Sequence, residues 1–278
     1  RRSDNNGYDT GWSTKFPDQE PNIDGQLNTM DGLYIPTVTP IDIEAVDKTS
    51  TDVQGATQKE TPTFNTTETN ANGDKISVTP SAEYPAKLVD PATGLSTDAP
   101  SVTVDGEGTY TINPTTGEVT FTPDPSFTGT AKGVEVTLSA PVGRNKDGKV
   151  QAEYIKTATA KYTPTVTPIA ITPTDKVSED IQNVPQTQTP TFELSNDKTA
   201  KITSKKLVDP ATGQPTDETT VTVEGEGTYS IDPTTGAVTF TPEKDFVGTA
   251  KGVKVQATAT VTNANGKTAT ITSDASYT

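Results

Sequence analysis

An all-β chain of tandem β-sandwich modules, set in an elongated end-to-end array, is the architecture this sequence predicts. Three observations carry it: a long internal repeat, apolar residues alternating strictly between turn signals, and no stretch with helical periodicity and capping residues. The repeat comes first. Tyr34–Ile41 reads YIPTVTPI, and Tyr162–Ile169 reads YTPTVTPI, an offset of 128 residues. At that offset Asp47–Gln54 (DKTSTDVQ) returns as Asp175–Gln182 (DKVSEDIQ), and Thr61–Phe64 as Thr189–Phe192. The offset then falls to 119: Lys87–Gly94 (KLVDPATG) returns at Lys206–Gly213, Gly106–Tyr110 (GEGTY) at Gly225–Tyr229, and Gly129–Val134 (GTAKGV) at Gly248–Val253. The first copy therefore carries an insert, which the unmatched stretch Asn65–Ala86 is expected to hold.

Within each copy the elements read as short strands. Tyr110 and Ile112 alternate inward, Asn113-Pro114-Thr-Thr-Gly117 turns the chain, and Val119 and Phe121 alternate again. The second copy repeats this with Tyr229, Ile231, the turn Asp232-Pro233-Thr-Thr-Gly236, then Val238 and Phe240. Asn or Asp followed by Pro opens a type I turn, and the closing Gly takes the positive φ of a hairpin bulge. Val253–Ile271 reads as a further hairpin turning at Asn263-Ala-Asn-Gly266. Thr supplies 56 of the 278 residues. Its branched Cβ favours strand dihedrals and its hydroxyl suits a wet outer face. A thin apolar face needs a second sheet to cover it, hence a sandwich per copy.

The domain reading follows. Residues 1–33 are read as the truncated end of a preceding module or a linker, 34–163 as the first repeat, and 169–278 as the second. Between them, residues 164–168 are read as a stiff linker, because Pro164 and Pro168 fix φ and deny strand pairing. The final Tyr277-Thr278 reads as the start of another YTPTVTP, so the sequence is taken as an internal excerpt. Trp12, Tyr8 and Phe16 leave a second reading of the first 33 residues, an exposed aromatic binding segment.

Composition bounds the function. Leu, Ile, Val and Phe make only 50 residues, which by itself suggests disorder, but their placement in alternation argues for folded strands. There are 37 acidic and 22 basic residues, a formal charge of −15. That balance disfavours nucleic acid, and no apolar run is long enough for membrane insertion. Cysteine and histidine are absent, which excludes disulfides, thiolate zinc sites, and Cys- or His-based nucleophilic catalysis.

The order DKTSTDVQGATQKETPTF, KLVDPATG, GEGTYTINPTTGEVTFTPDPSFTG and YTPTVTP resembles the CshA-type fibril repeat of Gram-positive, streptococcal-type surface adhesins. The resemblance covers about Ile41–Thr163 and Ile169–Thr278. It implies an extracellular protein on the bacterial surface, anchored to the cell wall through a region not present here. It also implies that host extracellular matrix proteins such as fibronectin are bound mainly by regions outside this chain, the partners of these repeats being neighbouring repeats.

The remaining chemistry is carboxylate. A glycosidase-like acid pair lacks aromatic sugar platforms within the repeats, so no catalytic residue is assigned. Calcium suits oxygen ligands from turns, and its candidates are Asp4, Asp9, Asp90 and Asp209, with Asp47, Asp52, Asp175 and Asp180 in further expected loops. The competing reading is that these residues form turns. No cofactor is called for. Lys48 and Lys176 match in place as one partner of a Lys–Asn crosslink, but no Asn matches late in a strand. Two functions are left: a structural stalk that projects a distal adhesive domain, or repeats that are themselves adhesive.

Overall fold

The computed structural model describes residues 35–278. The expectations for residues 1–33, including Asp4 and Asp9 and the aromatic segment of Tyr8, Trp12 and Phe16, lie outside the described residues. Ile41–Thr278 forms one compact unit; residues 35–40 precede it without regular secondary structure and expose Ile35 and Val38.

The first repeat opens with β1 (Ile43–Val46), β2 (Lys48–Val53), β3 (Gln58–Glu60), β4 (Thr63–Thr69), β5 (Lys75–Ser77), β6 (Lys87–Asp90) and β7 (Leu95–Ser96). It continues with β8 (Ser101–Val104), β9 (Gly108–Ile112), β10 (Val119–Pro123), β11 (Gly129–Thr130), β12 (Val134–Pro141) and β13 (Ile155–Thr167). One sheet has the order β3-β10-β9-β8. The other has the order β11-β13-β12-β6-β7, with β2 running parallel to β13. A small third sheet joins β1, β4 and β5.

The second repeat uses β14 (Ile171–Thr174), β15 (Gln186–Gln188), β16 (Thr191–Leu194), β17 (Ala200–Asp209) and β18 (Gln214–Pro215). It ends with β19 (Thr220–Val223), β20 (Gly227–Ile231), β21 (Val238–Pro242), β22 (Val253–Thr262) and β23 (Thr268–Tyr277). Its sheets are β15-β21-β20-β19 and β18-β17-β22-β23, with β14 and β16 as a separate pair.

Period-two alternation makes these strands two-faced. Along β12 the side chains of Val134, Val136, Leu138 and Ala140 are buried, while Glu135 and Ser139 face solvent. All three sheets of the first repeat feed one core, in which Tyr110 stacks on Phe121 at 4.7 Å and meets Tyr162 edge-on at 6.3 Å. Tyr229, Phe240 and Tyr277 reproduce both distances. Two of the repeated motifs meet there: the buried Glu107 of GEGTY accepts the Lys132 amide of GTAKGV at 2.7 Å, and Glu226 accepts that of Lys251 at 2.8 Å.

The insert lies within the expected stretch. In the second repeat β17 runs beside β22 as a single strand, with one bulge at Thr203. In the first, β5 folds back on β4 around Asn70–Asp74, and a loop over 78–86 intervenes before Leu88 pairs with Val136. A second insert was missed. Val134 to Tyr162 spans 28 positions and Val253 to Tyr277 only 24, and the surplus is the longer turn between β12 and β13, which contains a 3₁₀ turn at Ala152–Tyr154.

The linker expectation is corrected. Residues 163–167 are not a free spacer but the last part of β13, held between β2 on one side and β11 on the other. Pro164 contributes only its carbonyl, which accepts Ala131 N–H at 3.0 Å, so its missing donor does not break the ladder. Tyr162 and Val166 are fully buried in the first core. The first repeat therefore runs to Thr167, and Pro168 alone separates it from the buried Ile169.

Candidate functional site at the joint between repeats

The two repeats meet through a built interface rather than a spacer. Its centre is Gln54, at the end of the DKTSTDVQ motif, 4 % exposed. Its backbone amide donates to Thr167 O at 2.8 Å, and its side-chain amide donates to Pro125 O at 2.8 Å. Its side-chain oxygen accepts Ile169 N–H at 3.1 Å, and its backbone carbonyl accepts the Thr199 hydroxyl at 2.5 Å. All four groups of one residue are satisfied, three of them by the crossing chain or the second repeat. A buried polar residue survives only on such terms.

Around it the contact is partly apolar. Ile169, Ala200 and Val261 of the second repeat form a small core against which Val53 of the first packs. Gly55, with φ 80°, sits where an added Cβ would lie 2.8 Å from Val261 Cγ1. At the far side the turn Asn263–Lys267 reaches across: Asn263 Nδ2 donates to Pro123 O at 3.0 Å and Lys267 Nζ to Asp124 Oδ2 at 3.0 Å. Lys198 Nζ pairs with Asp52 Oδ2 at 2.6 Å. Burial works against the Asp52 carboxylate, yet the Lys198 ammonium and the Val53 amide hold its pKa below the ordinary value. Ser126 and then Lys267 do the same for Asp124. Such part-exposed pairs contribute roughly 0–1 kcal/mol each, so they set register more than strength.

The residues singled out from sequence have definite places. Asn113, Pro114 and Gly117 close the β9–β10 hairpin, with Gly117 N–H on Asn113 O at 2.7 Å and φ 80°. Asp232, Pro233 and Gly236 close β20–β21 in the same way, Gly236 also at φ 80°. Asp90 and Asp209 form turns, each accepting a backbone amide two residues on at 2.8 Å. Asp52 is a strand residue, not a loop residue. Asp47 and Asp175 are tied to the closing strand of their repeat by the amides of Lys161 and Ser276. Among the described residues no group of three or more acidic side chains converges on a possible cation position.

Sequence reasoning missed the joint. Gln54 lay in a quoted motif but carried no role, and Asn263 was read as a turn residue alone. The one available signal was that Gln54 closes a motif kept in both copies, although a strand end needs no amide side chain.

The sequence profile of the surface adhesin CshA repetitive domain matches the chain twice, over residues 40–166 and 168–277. The chain belongs to the CshA repeat family. The boundary between the two CshA repeats falls at residue 167, where β13 ends and Pro168 follows. No curated protein matches the chain. Among solved structures, a titin I9–I11 tandem is 12 % identical with a TM-score of 0.28, covering 85 % of this chain and 65 % of its own. A mouse cadherin-23 EC22–24 fragment is 12 % identical with a TM-score of 0.29, covering 86 % and 64 %. The titin Z1Z2 domains in complex with telethonin are 10 % identical with a TM-score of 0.31, covering 87 % and 97 %. The chain thus spans less than two thirds of the first two. Scores at this level carry no argument about the CshA repeats, whose sandwich fold rests on their own sheets.

Proposed function

We propose that these repeats are a structural stalk, projecting a distal adhesive domain from the cell wall of a Gram-positive bacterium through an anchor outside this sequence. The observation that carries this reading is the joint. Gln54, Asn263 and the Val53–Ile169–Val261 contact fix one repeat on the next, which a spacer that transmits reach requires and a freely swivelling binding module does not. The outward faces support it as well, being lined by Thr pairs such as Thr137–Thr159 and Thr203–Thr260.

Two measurements on the full chain test the reading. Small-angle scattering is expected to give a rod, and the immobilised chain is expected to show no saturable capture of host matrix proteins such as fibronectin. Saturable capture lost on substituting outward-facing residues of a repeat would make the repeats themselves adhesive and end the stalk reading.

A further inference from the structure

The second repeat contains a groove of about 580 Å³, bordered by Ser178, Ile181, Gln182, Gln186, Val247 and Ala250. In the first repeat the last residues of β13 fill the corresponding place. There Val166 is 1 % exposed, Pro164 O accepts Ala131 N–H at 3.0 Å, Thr165 O accepts Gln58 Nε2 at 2.9 Å, and Thr167 O accepts Gln54 N–H at 2.8 Å. The three donors have counterparts in Ala250, Gln186 and Gln182, all on the groove.

The ladder that would seat a strand has already begun. Lys48 pairs with Tyr162 as the first of six parallel rungs in the first repeat. Lys176 pairs with Tyr277 as an isolated parallel bridge, with Thr278 N–H on Lys176 O and Ser178 N–H on Thr278 O, both at 3.1 Å. Thr278 therefore stands at the mouth of the groove, in register and pointing along it.

The surroundings repeat the first joint. Gln182 Nε2 donates to Lys244 O at 3.1 Å as Gln54 does to Pro125 O, and Asn183 holds φ 72° where Gly55 holds 80°. Ile181 is 75 % exposed, whereas its counterpart Val53 is partly buried against the next repeat. Asp180 and Glu243 take the positions of Asp52 and Asp124, the two carboxylates that meet lysines of the second repeat. The face exposes Ile181 and Val247 and carries Asp180 and Glu243 beside them. It complements a repeat whose turns carry lysine and asparagine.

We propose that this groove is a strand-acceptor site whose occupant is a Pro-Thr-Val-Thr strand, continuous with Thr278, leading into a further repeat of the same family. The mode is strand insertion: main-chain bonds supply the affinity and one Val pocket the specificity. The register at Thr278 selects a continuous strand over one supplied by a second molecule. This rests on the stalk reading only in taking the occupant to be another repeat; matrix-protein capture and strand seating are separate readouts and fail separately.

The test compares the full chain with two extended forms, one carrying Pro-Thr-Val-Thr-Pro-Ile after Thr278 and one carrying Pro-Thr-Lys-Thr-Pro-Ile, by amide hydrogen exchange. With the Val-containing extension, exchange at Gln182 and Ala250 is expected to slow by roughly tenfold or more, and with the Lys extension to stay as in the parent chain. Unchanged exchange with the Val extension, or equal slowing with both, overturns the proposal. Sedimentation of the unextended chain supplies a further arm. Concentration-dependent association abolished by Val38→Lys would show that Ile35–Pro40 of a second copy fills the groove, and would overturn the continuous-strand assignment.

Discussion

Three residues show how much single positions decide. Gly117 and Gly236 each adopt φ 80°, and a Cβ on Gly236 would lie 2.8 Å from Lys205 Cδ. Gly117→Val or Gly236→Val is expected to destabilise its own repeat by roughly 1–3 kcal/mol, read as a lowered transition in thermal melts. Tyr229 is buried with its hydroxyl lacking a partner, and burial, reinforced by the Glu226 carboxylate, pushes its pKa up to about 12. The folded state thus keeps a proton that the unfolded chain releases near pH 10, so this contribution is intact at neutral pH. It should be lost as pH rises from about 10 to about 12. Alkaline titration of stability is expected to fall across that window in the parent and less in Tyr229→Phe. The turn residues were readable because Asn-Pro or Asp-Pro with a closing Gly states its geometry locally. Gln54 was not, since nothing near it in sequence says that Pro125, Ile169 and Thr199 will converge on it.

At the scale of elements, the hairpins were legible and the joining strand was not. Alternation announced β9, β10, β12 and their counterparts, and threonine was rightly placed outside, where cross-strand pairs such as Thr187–Thr239 at 2.9 Å line the wet face. The sequence Thr163-Pro-Thr-Val-Thr-Pro168 was misread because proline's cost in a sheet depends on whether the ladder asks that residue for its donor, which only the neighbouring strands reveal. The correction has a measurable consequence. Val166→Ala is expected to lower the stability of the first repeat by about 2 kcal/mol, the order of the burial term of one valine. A spacer residue would give no change in that melt.

For the whole molecule, coupling is the issue. The Gln54 contacts tie the end of one sandwich to the start of the next, so the two should unfold as one cooperative unit. Gln54→Ala leaves the Ile169 amide and the Pro125 carbonyl unpaired, at roughly 1–3 kcal/mol for each buried group. Differential scanning calorimetry is expected to show one transition in the parent and two separated transitions in Gln54→Ala. Two identical transitions in both chains would mean the repeats are thermodynamically independent. The family's sequence pattern made two modules plain from the start, because self-similarity is visible without coordinates. How strongly the modules hold each other was not, because it depends on contacts between residues more than a hundred positions apart.

The parallel pairing of β2 with β13 has a mechanical corollary. Tension entering near Ile43 and leaving at Thr167 draws these two strands past each other lengthwise. The six paired positions from Tyr162 to Thr167 then bear the load together instead of parting one after another. A tether anchored this way resists by shear. In single-molecule pulling, shortening that shared run by Thr165→Pro should lower the rupture force of the first sandwich while leaving that of the second as it was.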